Sequence, residues 1–198
     1  MISVLGLALL VTAMPSPQAE YDATIALFEK LPYICGSIVA SGGPVQQPTV
    51  STFRLWPGGR YDVFFANRDE HSDGKQVFTY SPEVNKYIMS PARTTQSGVL
   101  FGPRFDPAGS LKAAVESVRD STYDGRAARV FRFKQDRGEG PSELFVRKDN
   151  GQPLALMHYG QQASYATAIP ELHLNRKAEF RPWVPPKGSV ATDFLPGQ

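Results

Sequence analysis

Apolar and polar residues alternate with a period of two along most of this chain, and Gly and Pro interrupt the alternation at short intervals. The clearest stretch is 51–89, STFRLWPGGRYDVFFANRDEHSDGKQVFTYSPEVNKYIM, where three runs rich in β-branched and aromatic residues are cut by Pro57-Gly58-Gly59, Asp73-Gly74 and Ser81-Pro82. Runs of this kind between turn residues read as an antiparallel meander. The same pattern places strands at 33–41, 49–56, 60–66, 75–80 and 85–89, and again at 127–135, 142–148, 153–159, 162–168 and 171–181. Asp149-Asn150-Gly151 marks a hairpin, because Asn-Gly tolerates the positive φ of a type I′ turn. Phe131 and Phe133 share one strand face, as do Leu154 and Leu156; Leu172, Leu174, Ala178 and Phe180 share a face opposite His173, Asn175, Lys177, Glu179 and Arg181. Strict alternation predicts one wet side and one buried side.

Two segments depart from that period. Residues 20–31, EYDATIALFEKL, carry Ile25, Phe28 and Leu31 at helical spacing, with Asp22 as the expected N-cap and Pro32 as the stop. Residues 94–121 open as a Gly/Pro-rich loop holding Val99, Leu100, Phe101 and Phe105, and turn into a predicted helix near Pro107. Its apolar face is Leu111, Ala114, Val115 and Val118. A helix set into a meander is either a lid over the sheet or a crossover packed on it. About ten antiparallel strands with two or three helices suggest a curved sheet whose open side is covered, enclosing a lipophilic space.

The first nineteen residues have no charged side chain, and 2–13 form an apolar core too short for the ~20 residues that span a bilayer. This start reads as an export leader, 1–19, ahead of one domain at 20–198. Pro17 at −3 is a poor partner for Ala19 at −1, so a cut after Ala13, with Val11 at −3, competes. The single cysteine, Cys35, lies far inside, which argues against acylation and excludes an internal disulfide; it is expected as a small buried residue. The protein is therefore expected to be periplasmic, soluble and not lipidated.

A net charge of +2, from 21 basic and 19 acidic residues, gives no electrostatic mandate for nucleic acid. Eight Tyr, twelve Phe and two Trp must fill a core or a pocket. No Gly-x-Ser-x-Gly, His-Glu-x-x-His or phosphate-loop motif occurs. His71, reading as part of a charged loop, His158 in a strand and His173 on a polar face have no metal spacing, and Asp69 with Glu70 read as a solvated turn. Gly138-Glu139-Gly140 has no following helix and is no phosphate cradle. The expectation is a binding protein with neither catalysis nor cofactor.

Three motifs bear a family likeness. They are Phe53-Arg54-Leu55-Trp56-Pro57 with Arg60-Tyr61; the hairpin from Ser72-Asp73-Gly74-Lys75 to Tyr80-Ser81-Pro82; and Ala178-Glu179-Phe180 leading to Pro185-Pro186-Lys187-Gly188-Ser189. In order and separation the chain resembles the LolA-like periplasmic lipoprotein carriers and their LolB and RseB relatives. The resemblance implies a mainly β (α+β) fold, a half-open antiparallel barrel of about ten to eleven strands with a helical lid over a hydrophobic cavity. It also implies a monomer that takes acyl chains of lipoproteins or other lipids from an inner-membrane donor to an outer-membrane acceptor. An RseB-like envelope sensor or interaction module is the alternative.

The candidate cavity wall is Phe53, Leu55, Tyr61, Val63, Phe65, Phe78, Phe131, Phe133, Leu154, Leu156, Leu172 and Leu174, and the candidate cover is Leu100, Phe101, Leu111 and Val115. Each of these residues would be equally at home in an ordinary core. Carriers of this type place an Arg before the Pro of the first motif, where it bonds the lid. Trp56 stands there in this chain, and Arg54, on the same face of an ideal strand, is the candidate substitute. Arg176 falls in register with apolar positions, so either a bulge or edge position turns it to solvent, or it sits at the cavity mouth near a headgroup or carboxylate.

Overall fold

A computed structural model describes residues 15–42, 45–92, 98, 114–134, 140–160, 164–174 and 176–195. Helix α1 spans Pro17–Glu29. Twelve strands follow: β1 Ile34–Gly42, β2 Val45–Trp56, β3 Arg60–Phe64, β4 Asp69–Asp73, β5 Gln76–Ser81, β6 Lys86–Pro91, β7 Val115–Tyr123, β8 Arg126–Phe133, β9 Ser142–Arg147, β10 Pro153–Tyr159, β11 Ser164–His173 and β12 Val190–Ala191. They form one sheet in the order β12-β6-β5-β4-β3-β2-β1-β11-β10-β9-β8-β7. All pairings are antiparallel except β12 with β6. The sheet is curved and unclosed, with β12 and β7 at its ends.

Helix α1 starts earlier than its apolar spacing suggests. Ser16, not Asp22, is the N-cap: its side chain accepts from the Ala19 N–H at 3.2 Å, and Pro17 follows in the first turn. The helix buries Tyr21, Ile25 and Phe28. These pack against Phe53, Leu55, Tyr61 and Val63 from one half of the sheet and Phe131, Phe133, Leu144, Val146 and Leu156 from the other. One short helix can touch strands that far apart in sheet order only because the sheet bends around it.

Several predicted elements are corrected. The charged run at 69–73 is strand β4, paired on both sides, so Asp69, Glu70 and His71 belong to the sheet rather than to a loop. Two neighbouring strands impose the extended state on a segment whose composition disfavours it. Val115 and Val118 lie in strand β7, not on a helix, and β7 turns into β8 at Asp124-Gly125, both with positive φ (48° and 73°). The two predicted strands flanking Pro170 are one strand, β11. Its ladder skips between Ser37 and Val39, and a bulge of this kind is where a residue without an N–H is tolerated. Beyond His173 the expected alternation to 181 breaks down, because 176–189 is irregular and pairs with no strand.

Strict one-sidedness also fails at β9 and β10. Strands β9 and β10 are buried on both faces, with Ala128, Val130, Phe145 and Leu154 forming a second cluster on the outer side. Register shifts between Pro153 and Ala155, so Leu154 and Leu156 face opposite ways despite their spacing of two.

Candidate functional site

The inner face of the sheet, which α1 covers, is where the expected wall residues gather. Phe53, Leu55, Tyr61, Val63, Phe131, Phe133 and Leu156 are buried in one cluster with the helix. Phe65, Leu172 and Leu174 lie half-buried at its margin, joined by Val77 and Val118. Gly36 makes the centre possible: a Cβ there would stand 2.0 Å from the Glu171 carbonyl oxygen and 3.1 Å from the Phe53 ring, so only glycine lets the ring cross β1.

Helix α1 is seated on this face by aromatic and polar contacts. The Tyr21 ring meets Phe131 and Phe133 edge-on, with centroids 5.6 and 5.2 Å apart. Burial pushes the Tyr21 and Tyr61 hydroxyls far above their ordinary pKa, so both stay neutral donors. At its N-terminal end the Gln18 side-chain oxygen accepts from the Val115 N–H at 2.9 Å on β7. Glu20 takes a two-pronged ion pair from Arg129 at 2.6 and 2.8 Å, and Arg129 also reaches Asp120 at 2.8 Å. The Arg129 guanidinium holds the Glu20 carboxyl below its usual range. The C-terminal half of α1 contributes the apolar contacts of Ile25 and Phe28, with Leu31 packed just beyond.

Not all of the expected site forms. Phe78 lies on the outer face, against Trp183 at 5.2 Å, and leaves the wall. Leu154 leaves it through the β10 bulge. Of the expected cover, Val115 is a strand residue at the margin of the inner cluster, while Leu100, Phe101 and Leu111 lie outside the described residues. The chain passes from β6 to β7 through the segment that holds those three.

Trp56 and Arg54 both face outward. The Trp56 indole N–H donates to the Ala178 carbonyl at 2.8 Å, and its ring packs against Tyr33 and Phe180 at 5.2 and 5.4 Å. Arg54 lies over Phe64, 5.4 Å from the ring centroid. The segment 176–189 is thus a strap across the outer face. Trp183 pins its far end in a cage of His71, Phe78, Tyr80 and Tyr87, stacked on His71 at 5.2 Å and 13°. His71 in turn shares a 2.8 Å hydrogen bond with Asp62. Arg176 is exposed where the strap begins, turned to solvent because the strand has ended. Alternation after His173 hid this strap in the sequence, where Trp56 reads as the lid-latch position and Trp183 carries no assigned role.

The described residues hold no group of three His, Cys, Asp or Glu able to bind a metal, and no helix among them is long and apolar enough to cross a membrane. A buried pair, Ser142 Oγ and His158 Nδ1 at 2.7 Å, joins β9 to β10 on the inner face.

No family model matches the sequence, and no curated protein matches it. Solved structures do match. An uncharacterized conserved protein from Thermus thermophilus superposes with a TM-score of 0.63 at 14% identity, over 90% of this chain and 99% of that one. LprF from Mycobacterium bovis gives 0.52 at 10% identity, over 85% and 98%. A LolA superfamily protein from Nitrosomonas europaea is also matched, more loosely, with a TM-score of 0.36 at 9% identity over 80% and 94%. At these identities the likeness to the Thermus protein and to LprF establishes the fold alone.

Proposed function

We propose that the protein is a non-catalytic periplasmic carrier that holds an acyl chain of a lipoprotein or other lipid against the inner face of its curved sheet and then releases it. The observation that carries this is the continuous apolar inner wall of an unclosed sheet, contributed by both of its halves and left half-buried at Phe65, Val77, Leu172 and Leu174. An acyl chain would lie along that margin and compete with Ile25 and Phe28 for the wall, while Gln18 and Glu20 keep the other end of α1 in place.

The energetics suit a carrier rather than a trap. Each buried methylene is worth about 0.8 kcal/mol, so a long chain gains on the order of 10 kcal/mol gross. Displacing helix contacts and immobilising the ligand cost a large part of this. No directional bond fixes the chain, so release needs only a competing apolar surface. An inner-membrane donor and an outer-membrane acceptor are the partners such a cycle requires.

Native mass spectrometry of the protein purified from cell envelopes without detergent tests this. The expected result is a population carrying one acyl ligand, displaced by added fatty acid. Ligand-free protein that takes up neither fatty acid nor lipidated peptide overturns the proposal, and turnover of ester substrates would replace it with an enzyme.

A further inference from the structure

Outside the acyl wall, the strap and the outer face of the sheet enclose a groove of about 830 Å³. Its lining includes Tyr33, Arg54, Glu171, His173, Arg176 and Arg181. Arg54 comes from β2, directly across from Cys35, which is itself across from His173, so these three form one row on the outer face. Arg176 and Arg181 come from the strap, whose position is set by the Trp56–Ala178 hydrogen bond and by Phe180 against Trp56.

These three arginines share one groove and, like Arg60 and Arg126, make none of the ion pairs seen at other arginines among the described residues. Arg68, Arg119, Arg129, Arg132 and Arg147 each reach a carboxylate at 3.4 Å or less. Arg54, Arg176 and Arg181 have no carboxylate within ion-pair distance among the described residues. Asp62 lines the same groove but is engaged by His71. Arg54 and Arg176 come from different elements, a strand and the strap, and line this groove together with Tyr33. Bringing like charges together costs Coulomb energy unless a counter-charge joins them, and guanidinium forks match phosphate oxygens bidentately.

We propose that this groove binds a phosphate group through Arg54, Arg176 and Arg181, with the Tyr33 hydroxyl as a further donor. A single phosphate occupies a small part of the volume, so either free phosphate or the phosphodiester of a lipid headgroup fits. Glu171 and Glu179 also line the groove and disfavour a polyanion, which restricts the ligand to one or two negative charges. The site lies on the opposite face from the acyl wall and is independent of the carrier proposal.

The test is titration calorimetry on the full chain at constant ionic strength, with inorganic phosphate in one arm and a short-chain phosphatidylglycerol below its micelle concentration in the other. Saturable binding is expected, weakened about tenfold by each of Arg54→Gln and Arg176→Gln and left unchanged by Arg68→Gln, whose partner is Glu70. Trp183→Ala, which removes no arginine, should also weaken it by loosening the strap. Equal Arg-dependence in both arms with similar affinity identifies free phosphate; much tighter binding of the lipid identifies a headgroup. Binding that does not saturate, or that is indifferent to Arg54 and Arg176 in both arms, overturns the proposal. Phosphate binding is readable whether or not the protein takes up acyl chains, so the two proposals fail separately.

Discussion

Trp56→Phe isolates the bond that ties the strap to the sheet. The change keeps an aromatic ring between Tyr33 and Phe180 and removes the indole N–H that donates to Ala178 at 2.8 Å. A net protein hydrogen bond is worth about 0.5–1.5 kcal/mol, and the strap carbonyl left behind can turn to water, so a loss of about 1 kcal/mol is expected. In a domain of this size that lowers Tm by about 2–4 °C. Trp56→Ala also removes two ring contacts and leaves a cavity, for a loss of about 3–5 kcal/mol. Thermal denaturation by circular dichroism measures both. Limited trypsin digestion reads the strap directly, because Arg176, Lys177 and Lys187 lie on it; cleavage there should accelerate in the order wild type, Phe, Ala. If Phe and Ala variants melt together with the wild type and are cut at the same rate, Trp56 does not hold the strap. Trp56→Arg should be destabilising too, since it sets a second cation opposite Arg60 on the outer face.

Phe131→Ala empties a fully buried position under Tyr21 and should cost about 3–5 kcal/mol in urea denaturation, whereas Val184→Ala, at an exposed strap position, should cost under about 0.5 kcal/mol. Glu20 has its folded pKa lowered by Arg129, so its contribution to stability is complete above the ordinary carboxylate pKa and is lost as pH falls through the lowered folded value. Glu20→Gln should therefore reduce stability at pH 7 and flatten its decline on the acid side, and an unchanged acid limb in urea melts contradicts the clamp. Ser16 caps α1 and Gln18 bonds the β7 edge, so a leader cut after Ala19 would remove both, whereas a cut after Ala13 keeps them. Protein lacking residues 1–13 should therefore match the full chain in urea melts and protein lacking 1–19 should be less stable, and equal stability of the two refutes this.

Much of the sheet was readable from residues. The Asp73-Gly74 and Asn150-Gly151 turns occur where expected, with glycine φ of 90° and 69°, and Phe53, Leu55, Tyr61 and Val63 share the buried face that their spacing assigns. What escaped was decided by neighbours. Residues 69–73 are too polar to announce a strand and become one because β3 and β5 bracket them. Val115 and Val118, three apart, satisfy a helical period, yet Asp124-Gly125 a few residues later was a hairpin signal that demanded a strand before it. Leu154 obeys alternation in sequence but not in space, because the bulge at the start of β10 turns it outward. The strap keeps a strand's alternation without a strand's partner, and no local pattern distinguishes those cases.

Spin-labelled fatty acid, titrated into protein with isotope-labelled methyl groups, tests the carrier proposal most directly. Paramagnetic broadening is expected at Val63, Val77, Leu156 and Leu172 on the inner face, with Met89, Val184 and Val190 on the outside and strap unaffected. Broadening confined to the outer residues, or none at saturating ligand, contradicts acyl binding at the inner wall.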